Sequence, residues 1–218
     1  MTTVTGWLLQ LSPKQEVIGE LNQLYTIGHS NHSIEDFVEL LSLHRITAVA
    51  DVRSIPASRY TPQFNREAIR SALEAAGVSY VFLGKELGAR SPDPTCYIDG
   101  KVQYSRLAHS PLFVSGIERL INGATLERIA LTCTEQDPLD CHRTILISRV
   151  LADRDMQITH IHRDGSVERH SAAMNRLRRK HHLDEPSLFE SEEELLAKAL
   201  ELQESDIAYI DKEAAAGK

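Results

Sequence analysis

Two thiols, a carboxylate, an imidazole and a guanidinium fall within a short stretch of this chain: Cys133, Glu135, Cys141, His142 and Arg143. A thiolate can attack an electrophile, His142 or Glu135 can carry a proton, and Arg143 can clamp an anion. The plain alternative is that both cysteines pack as small buried hydrophobes. The spacing argues against two established cysteine loops. A phosphatase-type Cys-x5-Arg loop starting at Cys133 needs arginine where Leu139 stands, and a rhodanese-type loop, one residue shorter, ends at Pro138. A zinc site from Cys133, Cys141 and His142 has no fourth ligand nearby in sequence, although His29, His160 or His162 could approach in space. No metal ligand set is therefore assigned, and the sequence requires no cofactor.

Two further groups carry chemistry. Asp51 and Arg53 lie two apart at the end of an apolar run, so an extended backbone puts both on one face. Asp51 is a candidate base, metal-binding carboxylate or orienting group, and Arg53 a candidate bidentate anion ligand. A buried structural Asp–Arg network is the competing reading. In Gly28-His29-Ser30, glycine permits a tight strand-to-loop turn, His29 is a proton carrier and Ser30 an anion donor. The candidate catalytic residues are thus Asp51, Cys133, Glu135, Cys141 and His142, and the candidate anion-binding residues Gly28, His29, Ser30, Arg53 and Arg143. A cluster of Arg176, Arg178, Arg179 and Lys180 could track a phosphate backbone, or pair with the acidic residues that follow it.

The elements that must position these groups alternate between strand and helix. Strands are expected at 24–27, 47–50, 78–83, 128–132 and 157–162, and Asp164-Gly165 signals a hairpin returning through 166–170. Helices are expected after Ser33, Asn65 and Ser110-Pro111, over 174–182, and over 191–203. Asp137-Pro138 reads as another helix start, which would put Cys141, His142 and Arg143 in its first turn. Gly84 to His109 reads as one long irregular loop or lid. The pattern predicts an α/β fold, a mostly parallel sheet with helices on both faces in a Rossmann-like three-layer arrangement, with a helical C-terminal extension. Residues 1–23 form an N-terminal extension, 24–170 the α/β domain, and 171–218 a basic and then acidic extension with a frayed end at 214–218. Gly28-His29-Ser30, Asp51-Val52-Arg53, Gly84 to Arg90 and Cys133 to Arg143 then all follow the carboxyl ends of strands, the edge where open α/β sheets bind ligands.

A formal net charge of −7 conceals an asymmetry: 11 acids and three lysines stand from Asp184 onward, leaving 20 acids against 21 Lys and Arg before it. Whole-chain acidity is therefore no argument against a nucleic-acid partner. Three cysteines do not make a secreted disulfide framework, and the Trp7-Leu8-Leu9 cluster is too short for a signal peptide or span, so a cytoplasmic protein with reduced thiols and no membrane partner is expected. A homo-oligomer is compatible with the sequence.

Tyr25-Thr26-Ile27-Gly28-His29-Ser30, Asp51-Val52-Arg53 with Pro56 and Ser58, Leu87-Gly88, Cys133-x-Glu135 through Cys141-His142-Arg143, and His160-Ile161 before Asp164-Gly165 together resemble the domain of unknown function 488 family. The resemblance covers roughly Tyr25 to His170. It implies an α/β domain and brings no established reaction with it. The leading functional expectation is an enzyme binding a phosphate-bearing substrate, a nucleotide or nucleic acid, at the sheet's carboxyl edge for hydrolysis or group transfer. The alternatives are a non-catalytic nucleic-acid-binding protein linked to DNA maintenance and a thiol redox or zinc-binding module.

Overall fold

The computed structural model describes residues 22–187 and 189–211. Most of the expected N-terminal extension and the expected frayed end at 214–218 lie outside the described residues. In chain order the elements are β1 (Gln23–Gly28), α1 (Ile34–Leu43), β2 (Ala48–Asp51), α2 (Arg66–Ala75), β3 (Ser79–Phe82), α3 (Gly84–Leu87), β4 (Tyr97–Ile98), β5 (Lys101–Val102), α4 (Tyr104–Ala108), α5 (Pro111–Ala124), β6 (Ile129–Cys133), a π-helical stretch (Arg143–Ser148) running into α6 (Arg149–Ala152), β7 (Gln157–Ile161), β8 (Val167–Arg169), α7 (His170–Lys180) and α8 (Glu192–Ile207).

Six strands form one sheet in the order β3-β2-β6-β1-β7-β8. The first five run parallel and only β8 is antiparallel, returned by the Asp164-Gly165 turn. The fold is the expected three-layer α/β arrangement. Phe37 and Leu41 of α1 and Ile69 and Leu73 of α2 bury one face of the sheet with Tyr25, Ile27 and Val49. Phe113, Ile117 and Leu120 of α5, Ile145 to Leu151, and residues of α7 and α8 cover the other with Leu24, Ala50 and Leu131. Such apolar stripes, about 25 cal/mol for each Å² buried, are the main driving force. The connection leaving β2 turns to the first face and that leaving β6 to the second. A crevice therefore opens between the carboxyl ends of these two neighbouring strands, as at the switch point of other open α/β sheets.

Local signals behave largely as their chemistry dictates. Ser33 and Ser110 accept helix N–H groups, Ser191 and Glu194 form a capping box, and Gly77 takes the left-handed conformation (φ 74°) after α2. Asn65 precedes α2 but spends its side chain elsewhere, accepting from the Ser58 N–H at 2.6 Å.

Two expectations are corrected. Gly84 to His109 is not irregular: it folds into α3, a 3-10 turn (Pro94–Cys96), the β4–β5 hairpin and α4. Asp137-Pro138 does not open the helix that carries Cys141. Asp137 caps only a single 3-10 turn (Pro138–Asp140), accepting from Leu139 N–H at 2.8 Å, after which Cys141 is extended (φ −138°, ψ 140°). The helix proper starts after His142, in π form. Such π segments occur often beside functional sites. Among the described residues, no helix is long and apolar enough to cross a membrane.

Candidate functional site

The β2–β6 register pairs Asp51 with Thr132, and the β1–β6 register pairs Gly28 with Cys133. The strand ends therefore deliver the Gly28, Asp51 and Cys133 segments to one edge. Cys141 is extended rather than helical, and its sulfur shares the His142 Nδ1 neighbourhood with that of Cys133. Cys133 Sγ donates to Glu135 Oε2 at 3.1 Å and lies 3.7 Å from His142 Nδ1, while Cys141 Sγ lies 3.8 Å from the same nitrogen. On its far side the His142 ring donates from Nε2 to the Val52 carbonyl at 3.1 Å, which fixes its orientation. Both thiols are buried and unbridged.

Electrostatics divide this cluster. The hydrogen bond with Cys141, together with burial, raises the Cys133 thiol well above the ordinary range. Burial also opposes ionisation of Cys141, but the Cys133 hydrogen bond and the charges of Arg143 and His142 outweigh it and hold Cys141 well down. His142 is raised despite burial, chiefly by Cys141, and Glu135 is raised by burial and by Cys141.

Arg143 is wholly buried and does not meet Asp51. Its Nη1 donates to the Glu135 carbonyl at 2.8 Å and its Nη2 to the Gln136 carbonyl at 3.2 Å, so the cation supports the loop that carries Glu135. Its own backbone N–H donates to Cys141 Sγ at 3.5 Å. Gly28 is needed for the same loop: a Cβ there would stand 1.9 Å from the Glu135 carbonyl oxygen. The glycine thus serves close approach, not the tight turn expected from its position, and its φ is not positive.

Asp51 and Arg53 form a bidentate pair, Arg53 Nε to Oδ1 at 2.9 Å and Nη2 to Oδ2 at 2.6 Å, with Tyr80 donating to Asp51 Oδ2 at 2.8 Å. Arg53 Nη1 donates to His29 Nε2 at 3.0 Å, and among the described residues two of the guanidinium's five N–H groups are uncommitted. His29 also donates from Nδ1 to the Ser30 carbonyl at 3.0 Å and stacks on Phe64, which fixes it as the neutral ring. Ser30 spends its backbone N–H on the Thr134 carbonyl.

Burial, with Arg53's charge second, pushes His29 down to about 4. Burial does the same to His170, also to about 4, where it meets His160 in a chain from Thr26 that ties β1, β7 and α7 together. Both folded values lie below the unfolded 6.5, so the unfolded chain binds more protons between them. Stability is then complete above about pH 6.5 and falls as pH drops toward 4. Urea unfolding is expected to lose about 2 kcal/mol per ring between pH 7 and 5, less for the partly exposed His170. A flat profile over that range, or one unaltered in His29→Gln, would contradict this account.

A cavity of about 220 Å³ opens above the thiols, with Cys133, Cys141 and His142 in its wall beside Glu135 and Arg53. Ser54, Arg90, Tyr104 and Tyr209 also line it, as does Asp140, whose carboxylate is paired with Lys180. None of these residues was singled out from sequence. Arg90 ends the Gly84–Arg90 segment expected at this edge, and its guanidinium lies over the Tyr209 ring at 4.6 Å. Tyr209 arrives from beyond α8 with no local signal. A larger cavity, about 680 Å³, lies among α4, α6 and α8 and includes none of the thiol cluster.

The basic helix is largely neutralised from within. Arg176 pairs with Asp137 at 2.8 Å and Glu168 at 3.0 Å, and Lys180 pairs with Asp140 at 2.8 Å. Arg178 is buried, donating to the Leu183 carbonyl at 3.0 Å and lying 3.6 Å from Glu192 of the acidic helix, whereas Arg179 is exposed.

The family model described as Domain of unknown function DUF488 matches residues 33–150, a span that includes Asp51, Arg53, Arg90 and the whole thiol cluster. The chain belongs to this family. No curated protein and no solved structure matches it. The DUF488 match ends before β7, so α7, α8 and the Tyr209 wall of the cleft lie outside the matched span.

Proposed function

We propose that this DUF488 chain is an enzyme acting on a phosphate-bearing substrate, a nucleotide or a nucleic-acid end, by hydrolysis or group transfer in the cleft between β2 and β6. The observation that carries the reading is the convergence of Cys133, Glu135, Cys141 and His142 on a cleft that also holds Arg53 and Arg90. Arg90 and the two uncommitted N–H groups of Arg53 bind the anion, and Glu135 takes and returns a proton. Asp51 orients Arg53, His29 buttresses it, and Arg143 and Gly28 position the Glu135 loop. The internal pairing of Arg176, Arg178 and Lys180 favours the cleft over the α7 surface as the place where phosphate is met.

The test is turnover of a nucleoside monophosphate, a dinucleotide and a 5′-phosphorylated oligonucleotide, read by phosphate release and product chromatography. Because Arg90 is exposed, Arg90→Ala should leave the unfolding midpoint in place and raise KM about tenfold, about 1.4 kcal/mol of binding. No turnover of any probe, with probe binding indifferent to Arg90, would overturn the reading.

A further inference from the structure

We propose that Cys133, Cys141 and His142 bind one zinc-class metal ion and leave its fourth position open to the cleft. Their three ligand atoms lie within 4.8 Å of one another, and all three residues are buried. The two nitrogen-to-sulfur spacings are those of a coordination polyhedron. A tetrahedral zinc with bonds of about 2.3 Å to sulfur and 2.0–2.1 Å to nitrogen separates N from S by about 3.6 Å. The two N to S separations here are 3.7 and 3.8 Å. His142 Nδ1 therefore already stands at a ligand's distance from each sulfur.

The surroundings suit ligation as well. His142 Nε2 donates to the Val52 carbonyl, which leaves the Nδ1 lone pair facing the sulfurs, the outer-shell arrangement that orients metal-bound histidines. The Arg143 N–H points at Cys141 Sγ, and the buried Arg143 cation offsets the charge of two thiolates. Two sulfurs and an imidazole select zinc over hard cations such as magnesium or calcium. Cys133 is anchored by the β1–β6 register and Cys141 by the capped turn before it, so the chain presets the ligand positions. Three protein ligands beside an open cavity match catalytic rather than structural zinc sites. Glu135, 3.1 Å from Cys133 Sγ, is placed to accept a hydrogen bond from a water in the fourth position.

This inference shares the cleft of the proposed enzyme and rests on that reading for the meaning of the open position, but metal uptake is measured without turnover. The full chain, reduced and stripped with a chelator, is titrated with cobalt(II) and then zinc(II). One equivalent of cobalt is expected, with a thiolate-to-cobalt charge-transfer band and tetrahedral d–d absorption, both abolished by zinc. Cys133→Ser and Cys141→Ser should each lose these bands, while Cys96→Ser, changed elsewhere in the core, should keep them. X-ray absorption of the zinc-loaded wild type should count two sulfur ligands, a result independent of whether the serine variants fold. Absence of the charge-transfer band, a sulfur count other than two, or reversible oxidation of two thiols without metal uptake overturns the site. Metal bound without turnover defeats the enzyme reading alone, and turnover by a chain that shows no charge-transfer band on cobalt addition defeats the metal site alone.

Discussion

Gly28→Ala is expected to lower the stability of the fold by about 3 kcal/mol, the upper end of ordinary overpacking, or more. The added methyl group would meet the Glu135 carbonyl oxygen at 1.9 Å, the carbonyl carbon at 2.8 Å and Arg143 Nη2 at 3.1 Å. The first two are backbone atoms, so no rotamer change relieves the clash. The third belongs to the guanidinium that holds the same loop, so moving the loop also breaks the bonds from Arg143 to the Glu135 and Gln136 carbonyls. A buried cation deprived of its acceptors adds its own desolvation cost. Gly123→Ala is the internal comparison. It lies near the end of α5, and a Cβ there meets only the tip of Ile129 at 2.9 Å, so a midpoint close to wild type is expected. If urea unfolding placed Gly28→Ala within about 0.5 kcal/mol of wild type, in the range of ordinary surface changes, the close approach of these two segments would be wrong.

The parts of this architecture that repeat over several residues were legible in the sequence. The short apolar runs became the parallel strands, and the stripes of α1, α2 and α5 became the layers that cover them. The segment between Gly84 and His109 was not legible, because two-residue strands and single-turn helices are too short to show a period. The π-helical start at Arg143 was hidden for a related reason: its apolar residues satisfy a helical pattern whichever hydrogen-bond ladder they adopt.

At the site, the Asp51–Arg53 pair followed from alternation along a strand. The partners of Arg143 could not, since backbone carbonyls carry no sequence signature. Neither could the neutralisation of α7. Its counter-charges come from Asp137, Asp140, Glu168 and Glu192, brought together only by the fold. Cys133 and Cys141 stood close in the chain from the start, but the extended backbone at Cys141 and their shared approach to His142 Nδ1 had no signal in the spacing.

The same loop sets the second large effect. Glu135→Gln should cut turnover of a phosphorylated probe by roughly 10²–10⁴-fold, the usual contribution of a positioned acid or base, while binding of the probe changes little. The amide is nearly isosteric with the carboxylate, and Arg143 holds the main chain of residue 135 rather than its side chain, so the loop stays in place. What is lost is the ability to take a proton from an attacking water or hydroxyl as its oxygen bonds to phosphorus, and to hand that proton to the oxygen that departs. Glu135→Asp retains the carboxylate but withdraws it by one methylene, so activity between that of wild type and that of Glu135→Gln is expected. Arg90→Ala should move KM instead, which separates anion binding from proton transfer at a single cleft. A Glu135→Gln enzyme retaining more than about a third of wild-type kcat/KM, well short of a general-base loss, would remove Glu135 from the chemistry.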